Sequence, residues 1–161
     1  MAMAESLPQP RPAQSVSRSD PQEPDYLSLS AGYVGVLRDA VGTAYSIEYR
    51  LHQNYLNIHP AVMLGWTEHS KYVNISLQYT QAFGERWFCT LSSGPGSYSR
   101  DSDGQNLGAP LEFLSSIEVA REIGRGQRLA LGFEHISNAH VARLNPGNEM
   151  VRLSYILPIY R

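Results

Sequence analysis

The stretch Tyr72–Thr80 reads YVNISLQYT, and apolar and polar side chains alternate along it one by one. Its apolar members are Val73, Ile75, Leu77 and Tyr79, and each residue that follows one of them is polar. Successive side chains of a β-strand point to opposite faces, so this pattern predicts a strand with one apolar and one polar face. No segment of the chain has a convincing 3.6-residue period, which is the spacing typical of an amphipathic helix.

The same alternation returns on either side, in segments 44–51, 129–136 and 151–159. Together with weaker segments these patterns predict eight strands, at 26–38, 41–51, 57–67, 70–82, 85–98, 111–124, 126–139 and 149–160. Each is long enough for the ~9–11 residues of a tilted membrane-crossing strand. An even number of strands can close into a barrel, which leaves no exposed strand edge.

The predicted connections are alternately short and long. Short turns such as Gly84-Glu85 alternate with longer connections, and the two longest are Ser99–Pro110 and His140–Asn148. Both of these fall at the same end, as in outer-membrane barrels with short turns on one side and longer loops on the other. We therefore predict an all-β fold, an eight-stranded antiparallel up-and-down transmembrane β-barrel.

Alternation by itself does not say which face of the sheet is outside. A lipocalin-like soluble barrel alternates in the opposite sense, with its apolar face turned inward around a ligand. The polar face carries Glu48, Arg50, Gln78, Glu118, Glu134 and Arg152. These groups would form ion pairs inside a membrane barrel, or they would be solvated on the outside of a soluble one.

Composition excludes several classes of protein. Mean hydropathy is −0.30 and no apolar stretch approaches the ~18 residues of a membrane-spanning helix, so a helical membrane protein is excluded. The net charge of −2 gives no basic excess, and we expect no nucleic-acid partner. The single cysteine, Cys89, excludes an internal disulfide framework and a cysteine-rich zinc site.

The first 24 residues differ in amino-acid composition from the rest of the chain. They hold five of the ten prolines, and no large apolar residue follows Leu7 except Val16. We predict a disordered Pro-rich segment over 1–24 and a barrel domain over 25–161. The segment has no apolar region of the kind that an intact signal peptide requires.

Most of the residue types suited to catalysis in the second half fall in one window, Glu134–Glu149, which reads EHISNAHVARLNPGNE. His135 and Ser137 are two apart in one predicted strand and continue its apolar row. Glu149 opens the next strand and continues the apolar row there. Because a hairpin places these two rows on one face, we expect His135, Ser137 and Glu149 to converge at its loop end.

The three residue types are those of a hydrolytic triad. Serine becomes an effective nucleophile when an imidazole takes its proton, and a carboxylate orients that imidazole. Asn138, Asn145 and the backbone that follows Asn145 are the nearby candidates for an oxyanion hole. However, a His-x-Ser pair is common by chance, Asn-Pro-Gly is an ordinary turn, and polar residues also mark a barrel rim. Spacing alone leaves both the catalytic triad and the non-catalytic rim open.

The string His135–Ala139, HISNA, followed by Asn145–Glu149, NPGNE, resembles the signature of the lipid A 3-O-deacylase (PagL) family of outer-membrane barrels. That family has a His-x-Ser-Asn motif, an Asn-Pro-Gly-type loop and a following acidic residue at this separation. The glycine-rich Gly94–Tyr98, GPGSY, also resembles the family. The motif match is strongest over residues 130–155, and the eight-strand plan covers about 26–160.

The resemblance implies a serine esterase that removes the ester-linked 3-O acyl chain of lipid A. It implies Ser137 as the nucleophile, His135 as the general base and Glu149 as the carboxylate partner. Asn145 would contribute to the oxyanion hole with support from Asn138, and no metal or cofactor would be required. The implied location is the bacterial outer membrane, with lipopolysaccharide as substrate and membrane lipid as surroundings, and a homodimer is left open.

Two other functions fit the residues without the resemblance. One is a non-catalytic structural or lipid-binding barrel, and the other is a soluble lipid-ester hydrolase whose triad lines an internal cavity. His140, Arg100 and Arg143 lie in predicted loops, where contact with lipid phosphates and simple solvation are both open.

Overall fold

The computed structural model describes residues 24–38, 42–52 and 56–160. The predicted disordered Pro-rich segment, residues 1–24, lies outside the described part except for Pro24. The strands are β1 (Asp25–Val34), β2 (Gly42–Arg50), β3 (Ile58–Thr67), β4 (Ser70–Phe83), β5 (Trp87–Arg100), β6 (Leu111–Gly124), β7 (Gln127–Ser137) and β8 (Asn148–Ile159). Each strand pairs antiparallel with the next, and β1 pairs with β8 to close the barrel. The predicted fold class is confirmed.

Within the three described ranges, no helical segment has the length and the apolar composition needed to span a membrane.

The alternation in β4 decides which face of the sheet is outside. Val73, Ile75 and Leu77 are 45%, 61% and 60% exposed, whereas Asn74 and Gln78 between and beside them are each 2% exposed. The apolar face of the strand therefore points away from the barrel and the polar face into it. An apolar outer surface is stable in lipid, so the membrane barrel is confirmed and the lipocalin-like arrangement is wrong.

Charged side chains fill the middle of the lumen as a paired network. The Arg50 guanidinium donates to both oxygens of Glu118 at 2.9 and 3.1 Å, and it also contacts Glu48. Arg152 contacts Glu134 and lies 3.4 Å from Glu118. All five side chains are buried. Buried charges are stable only when they are paired, and this pairing explains why the polar face can turn inward.

Between this network and the end of the barrel that carries the longer loops, which we call the long-loop end, the lumen holds a cluster of apolar side chains beside the buried Asn74 and Glu112. Met63, Tyr72, Leu114 and Ile136 are buried there, and Leu107 of the β5–β6 loop is packed with them from above. These side chains close the lumen at its long-loop end. Residues 135, 137 and 149 belong to the outward rows of β7 and β8, so a triad lining an internal cavity is not compatible with the fold.

Two strands end two or more residues before their predicted limits, which are 38 and 139. β1 ends at Val34 because Gly35 has a φ of 78°, and β7 ends at Ser137 because Ala139 and His140 have φ values of 51° and 62°. A left-handed backbone cannot continue an extended ladder, whatever the side-chain pattern.

Candidate active site

The centre of the site is a direct cross-strand pair in the β7–β8 hairpin. His135 lies opposite Glu149 in the register of the two strands, and its Nδ1 is 3.2 Å from Glu149 Oε1. Both side chains belong to the outward rows, as their odd numbering within these strands requires. The imidazole side chain is 45% exposed and the carboxylate only 15%. The site thus lies on the outer surface of the barrel, near the long-loop end.

Ser137 continues the outward row of His135 by two residues. It lies opposite Phe113 of β6 and is partly buried. Within the described residues no hydrogen bond joins the Ser137 hydroxyl to His135, whose ring is bonded to Glu149. The structure therefore brings two of the three predicted residues into contact and places the third on the same row.

Gly147 packs against the edge of the His135 ring. A Cβ atom at this position would lie 2.8 Å from Cε1 and 3.4 Å from Nε2 of His135, and the φ of Gly147 is +63°. Glycine is thus required both by the backbone conformation and by the lack of space. The sequence signal was present in Asn-Pro-Gly, but that tripeptide is equally consistent with an ordinary turn.

Asn138 joins the two longest loops. Its side chain is fully buried, and its Nδ2 donates to the carbonyl oxygens of Leu107 at 2.8 Å and Leu144 at 2.7 Å. Its backbone N–H donates to Asn145 Oδ1 at 2.9 Å, and Asn145 Nδ2 lies 3.2 Å from His140 Nδ1. Asn138 holds the loop that carries Asn145 rather than facing the His135 ring itself.

Gln105 of the β5–β6 loop clamps the end of the β7–β8 loop. Its Nε2 donates to the Gly147 carbonyl at 3.0 Å, and its Oε1 accepts from Asn148 Nδ2. Asn148 Oδ1 in turn accepts the backbone N–H of Glu149 at 2.8 Å. Sequence reasoning missed Gln105 and the contact that the Asn148 side chain makes with it, since no local pattern connects residues 43 positions apart.

Arg38, four residues after the end of β1, reaches the same hairpin because β1 pairs with β8. Its Nε lies 3.8 Å from Glu149 Oε2, and its guanidinium donates to the Pro146 carbonyl. This residue was also missed. By contrast Arg100, considered above as a phosphate contact, donates to the carbonyls of Asp101 and Gly104 and so braces its own loop.

Another histidine–carboxylate pair, His69 with Asp101, lies in the loops of the same end. His69 Nδ1 is 3.2 Å from Asp101 Oδ2, and both side chains are exposed. The hydrogen bond to Asp101 raises the pKa of His69, and the same bond lowers the pKa of Asp101. The pair ties the β3–β4 turn to the β5–β6 loop.

Metal-ligating side chains do not gather anywhere in the described ranges: no group of three or more His, Cys, Asp or Glu residues is placed to hold an ion.

Solved structures with the same fold are known. The outer-membrane enzyme PagL matches with a TM-score of 0.66 and 23% identity, covering 83% of this chain and 99% of that one. Neisserial surface protein A matches with a TM-score of 0.63 and 12% identity, covering 83% and 96%. A de novo designed transmembrane β-barrel matches with a TM-score of 0.61 and 8% identity, covering 86% and 97%. Curated proteins gave no match.

The family of this chain is established by its sequence and not by the similarity of folds. The family model described as Lipid A 3-O-deacylase (PagL) matches residues 26–158, from the second residue of β1 almost to the end of β8. The match spans the His135–Ser137 motif, the Asn-Pro-Gly loop and Glu149. The chain belongs to the lipid A 3-O-deacylase (PagL) family, a family of ester hydrolases built on outer-membrane β-barrels.

Proposed function

We propose that this protein hydrolyses the ester-linked 3-O acyl chain of lipid A, with Ser137 as nucleophile, His135 as general base and Glu149 as its carboxylate partner. The observation that carries the proposal is the 3.2 Å contact between His135 Nδ1 and Glu149 Oε1 on the lipid-facing surface. A carboxylate on Nδ1 fixes the tautomer that leaves Nε2 ready to accept a proton.

Ser137 enters the proposal through its position on the same outward row. In a structure without substrate, catalytic hydrogen bonds are often long or absent and shorten only in the reactive complex. A change in the Ser137 χ1 angle moves its hydroxyl relative to the His135 ring without moving the backbone. The proposed contact is therefore one between Ser137 Oγ and His135 Nε2.

The reaction has two halves. The Ser137 oxygen attacks the ester carbonyl carbon while its proton passes to His135 Nε2. The carbon–oxygen bond to the sugar then breaks, His135 gives its proton to the departing sugar oxygen, and the acyl chain stays on Ser137. Water next attacks this acyl-serine, loses a proton to His135 and releases the fatty acid, and the proton returns to Ser137 Oγ.

The negative oxygen of each tetrahedral intermediate needs hydrogen-bond donors. Asn145 is the proposed donor: its Oδ1 is occupied by the Asn138 N–H, while one of its two Nδ2 hydrogens faces His140 and the other remains for the substrate. Asn138 supports this arrangement by holding the loop. The chemistry requires side chains alone, with no metal or cofactor.

The position of the site suits a substrate that lies in the membrane. Phe133 and Val151, the outward neighbours of His135 and Glu149 towards mid-barrel, belong to the apolar surface. An acyl chain of lipid A in the outer leaflet can lie along this surface with its ester at the His135 level. The proposed substrate is accordingly lipid A or lipopolysaccharide of the membrane that contains the barrel.

A non-catalytic lipid-binding barrel is the competing function. The test is mass analysis of lipid A after expression of the chain in an outer membrane, compared for wild type, Ser137→Ala and Ser99→Ala. Ser99 is an exposed serine of β5 at the same end and serves as the matched control. The proposal requires loss of one 3-O acyl chain with wild type and Ser99→Ala, and intact lipid A with Ser137→Ala. Intact lipid A in the presence of a folded wild-type barrel would favour the non-catalytic function.

A further inference from the structure

Glu149 has a different partner on each carboxylate oxygen. Oε1 faces His135 Nδ1 at 3.2 Å, and Oε2 faces Arg38 Nε at 3.8 Å. Arg38 belongs to the β1–β2 connection, so it comes from outside the hairpin that carries the triad. The carboxylate is consequently held between the imidazole on one side and a guanidinium on the other.

Backbone hydrogen bonds anchor Arg38 to the same residue that its side chain contacts. The Gly35 N–H donates to the Glu149 carbonyl at 2.7 Å, and the Arg38 N–H donates to the Gly35 carbonyl at 2.9 Å. The guanidinium also donates to the Pro146 carbonyl. Pro146 lies between Asn145 and Gly147, so one arginine touches both the triad carboxylate and the loop that packs on His135.

We propose that Arg38 is a positioning residue: it fixes the Glu149 carboxylate in the rotamer that orients His135, and it holds the Asn145–Gly147 loop beside them. This inference rests on the proposed esterase function. A carboxylate with one partner can rotate about its terminal bond, whereas a carboxylate with partners on both oxygens is confined. Correct orientation of a catalytic group contributes directly to the rate.

The proposal separates two roles that an arginine could have at this place. Arg38 is 37% exposed and lines an open cavity of about 750 Å³ at the long-loop end. A guanidinium that bound a phosphate of the substrate would lower KM. A guanidinium that orients Glu149 raises kcat and leaves KM nearly unchanged, because it acts on the His135 geometry and not on the substrate.

The test compares Arg38→Ala with Arg86→Ala, in purified protein acting on lipid A in mixed micelles. Arg86 lies in the β4–β5 turn at the opposite end of the barrel and is the matched control. We expect kcat of Arg38→Ala to fall about 10- to 100-fold with KM within about twofold, the size of loss that a misplaced catalytic group causes. Arg38→Lys should recover only part of it, since an ammonium lacks the fork of a guanidinium. Millimolar guanidinium ion should raise the rate of Arg38→Ala and leave Arg86→Ala unchanged.

A double-mutant cycle gives the sharpest measurement. In a Glu149→Gln background, Arg38→Ala should lower kcat distinctly less than it does in the wild-type background, because only its contact with the Pro146 carbonyl is then left to lose. A full and independent loss in that background would overturn the proposal, as would a rise in KM with unchanged kcat. An inactive wild type would instead reject the esterase function. The inference about Arg38 would then be decided by ¹⁵N NMR of the His135 ring, where Arg38→Ala must change the balance of tautomers in the same direction as Glu149→Gln.

Discussion

His135 and Glu149 face each other directly across the β7–β8 ladder, with Nδ1 3.2 Å from Oε1, on the outer surface of a barrel whose lumen is plugged. This relationship makes Glu149→Gln the most informative substitution of the site. The amide preserves size but cannot stabilise the imidazolium, so kcat should fall by up to about 10⁴-fold, the loss seen when a triad carboxylate becomes an amide. Steady-state kinetics in mixed micelles measures the loss.

The control for this change is Glu68→Gln. Glu68 lies in the β3–β4 turn at the same end, and its side chain is 81% exposed. The kcat of Glu68→Gln should equal that of wild type. Equal kcat for Glu149→Gln and Glu68→Gln would remove Glu149 from the mechanism.

Gly147→Ala tests whether the close packing on the His135 ring matters for activity. The added Cβ would lie 2.8 Å from Cε1, so the ring must move. Gly84 offers a matched control, since its φ of +66° is nearly that of Gly147 at +63° but nothing lies within 4 Å of its Cβ position. Both variants should lose about 1–2 kcal/mol of stability from left-handed strain. Only Gly147→Ala should also lose kcat, by about 10-fold or more.

Urea unfolding in detergent and kinetics on the same two samples separate the effects. A Gly147→Ala enzyme with full kcat would mean that the His135 position tolerates the shift. Equal losses of kcat in both variants would assign the effect to backbone strain.

Local sequence was sufficient to predict the barrel and the central pair of the site. Val73 and Asn74 alternate because one face meets lipid and the other the lumen, and that rule is readable at neighbouring positions. His135 and Glu149 belong to one hairpin, so strand parity and one turn bring them together. The direction of the faces was not readable, because alternation is the same for either sense until the barrel closes.

The residues that were missed reach the site through long-range closure. Arg38 lies near the β7–β8 hairpin because β1 pairs with β8. Gln105 contacts the same hairpin because the β5–β6 loop folds over the long-loop end of the barrel. Neither contact has a periodic or local signature. Gly147 could be recognised in the sequence as part of a turn, but its packing role depends on the His135 ring that lies against it.

Arg152→Met tests the paired network in the lumen. Three carboxylates, those of Glu48, Glu118 and Glu134, share two guanidiniums there, and removal of Arg152 leaves Glu134 without its partner. Breaking a buried pair by deleting one member costs about 3–5 kcal/mol. We expect a loss of that size in urea unfolding.

The double variant Arg152→Met with Glu134→Gln should recover at least half of this loss, because it removes the uncompensated charge. A double variant as unstable as Arg152→Met alone would mean that packing, and not charge balance, is what Arg152 contributes. The comparison needs no enzymatic activity.

The pH dependence of the loops follows from His69 and Asp101. The hydrogen bond between them raises the pKa of His69 above its ordinary 6.5 and lowers that of Asp101 below its ordinary 3.8. The stabilisation from His69 is therefore fully present below pH 6.5 and disappears as the pH rises through its raised pKa. The stabilisation from Asp101 is present above pH 3.8 and disappears as the pH falls through its lowered pKa. The tie between the loops should be strongest in the mildly acidic range.

NMR titration of the His69 ring in wild type, Asp101→Asn and Ser102→Ala measures this directly. The His69 midpoint should fall towards 6.5 in Asp101→Asn. In Ser102→Ala it should equal that of wild type, because the Ser102 hydroxyl donates to Asp103 and not to Asp101. The Asp101 N–H, which donates to the His69 carbonyl at 3.1 Å, should exchange faster with solvent above the His69 midpoint than below it. An unchanged midpoint in Asp101→Asn would mean that the two side chains do not interact in solution, and the pH-dependent tie would then have to be abandoned.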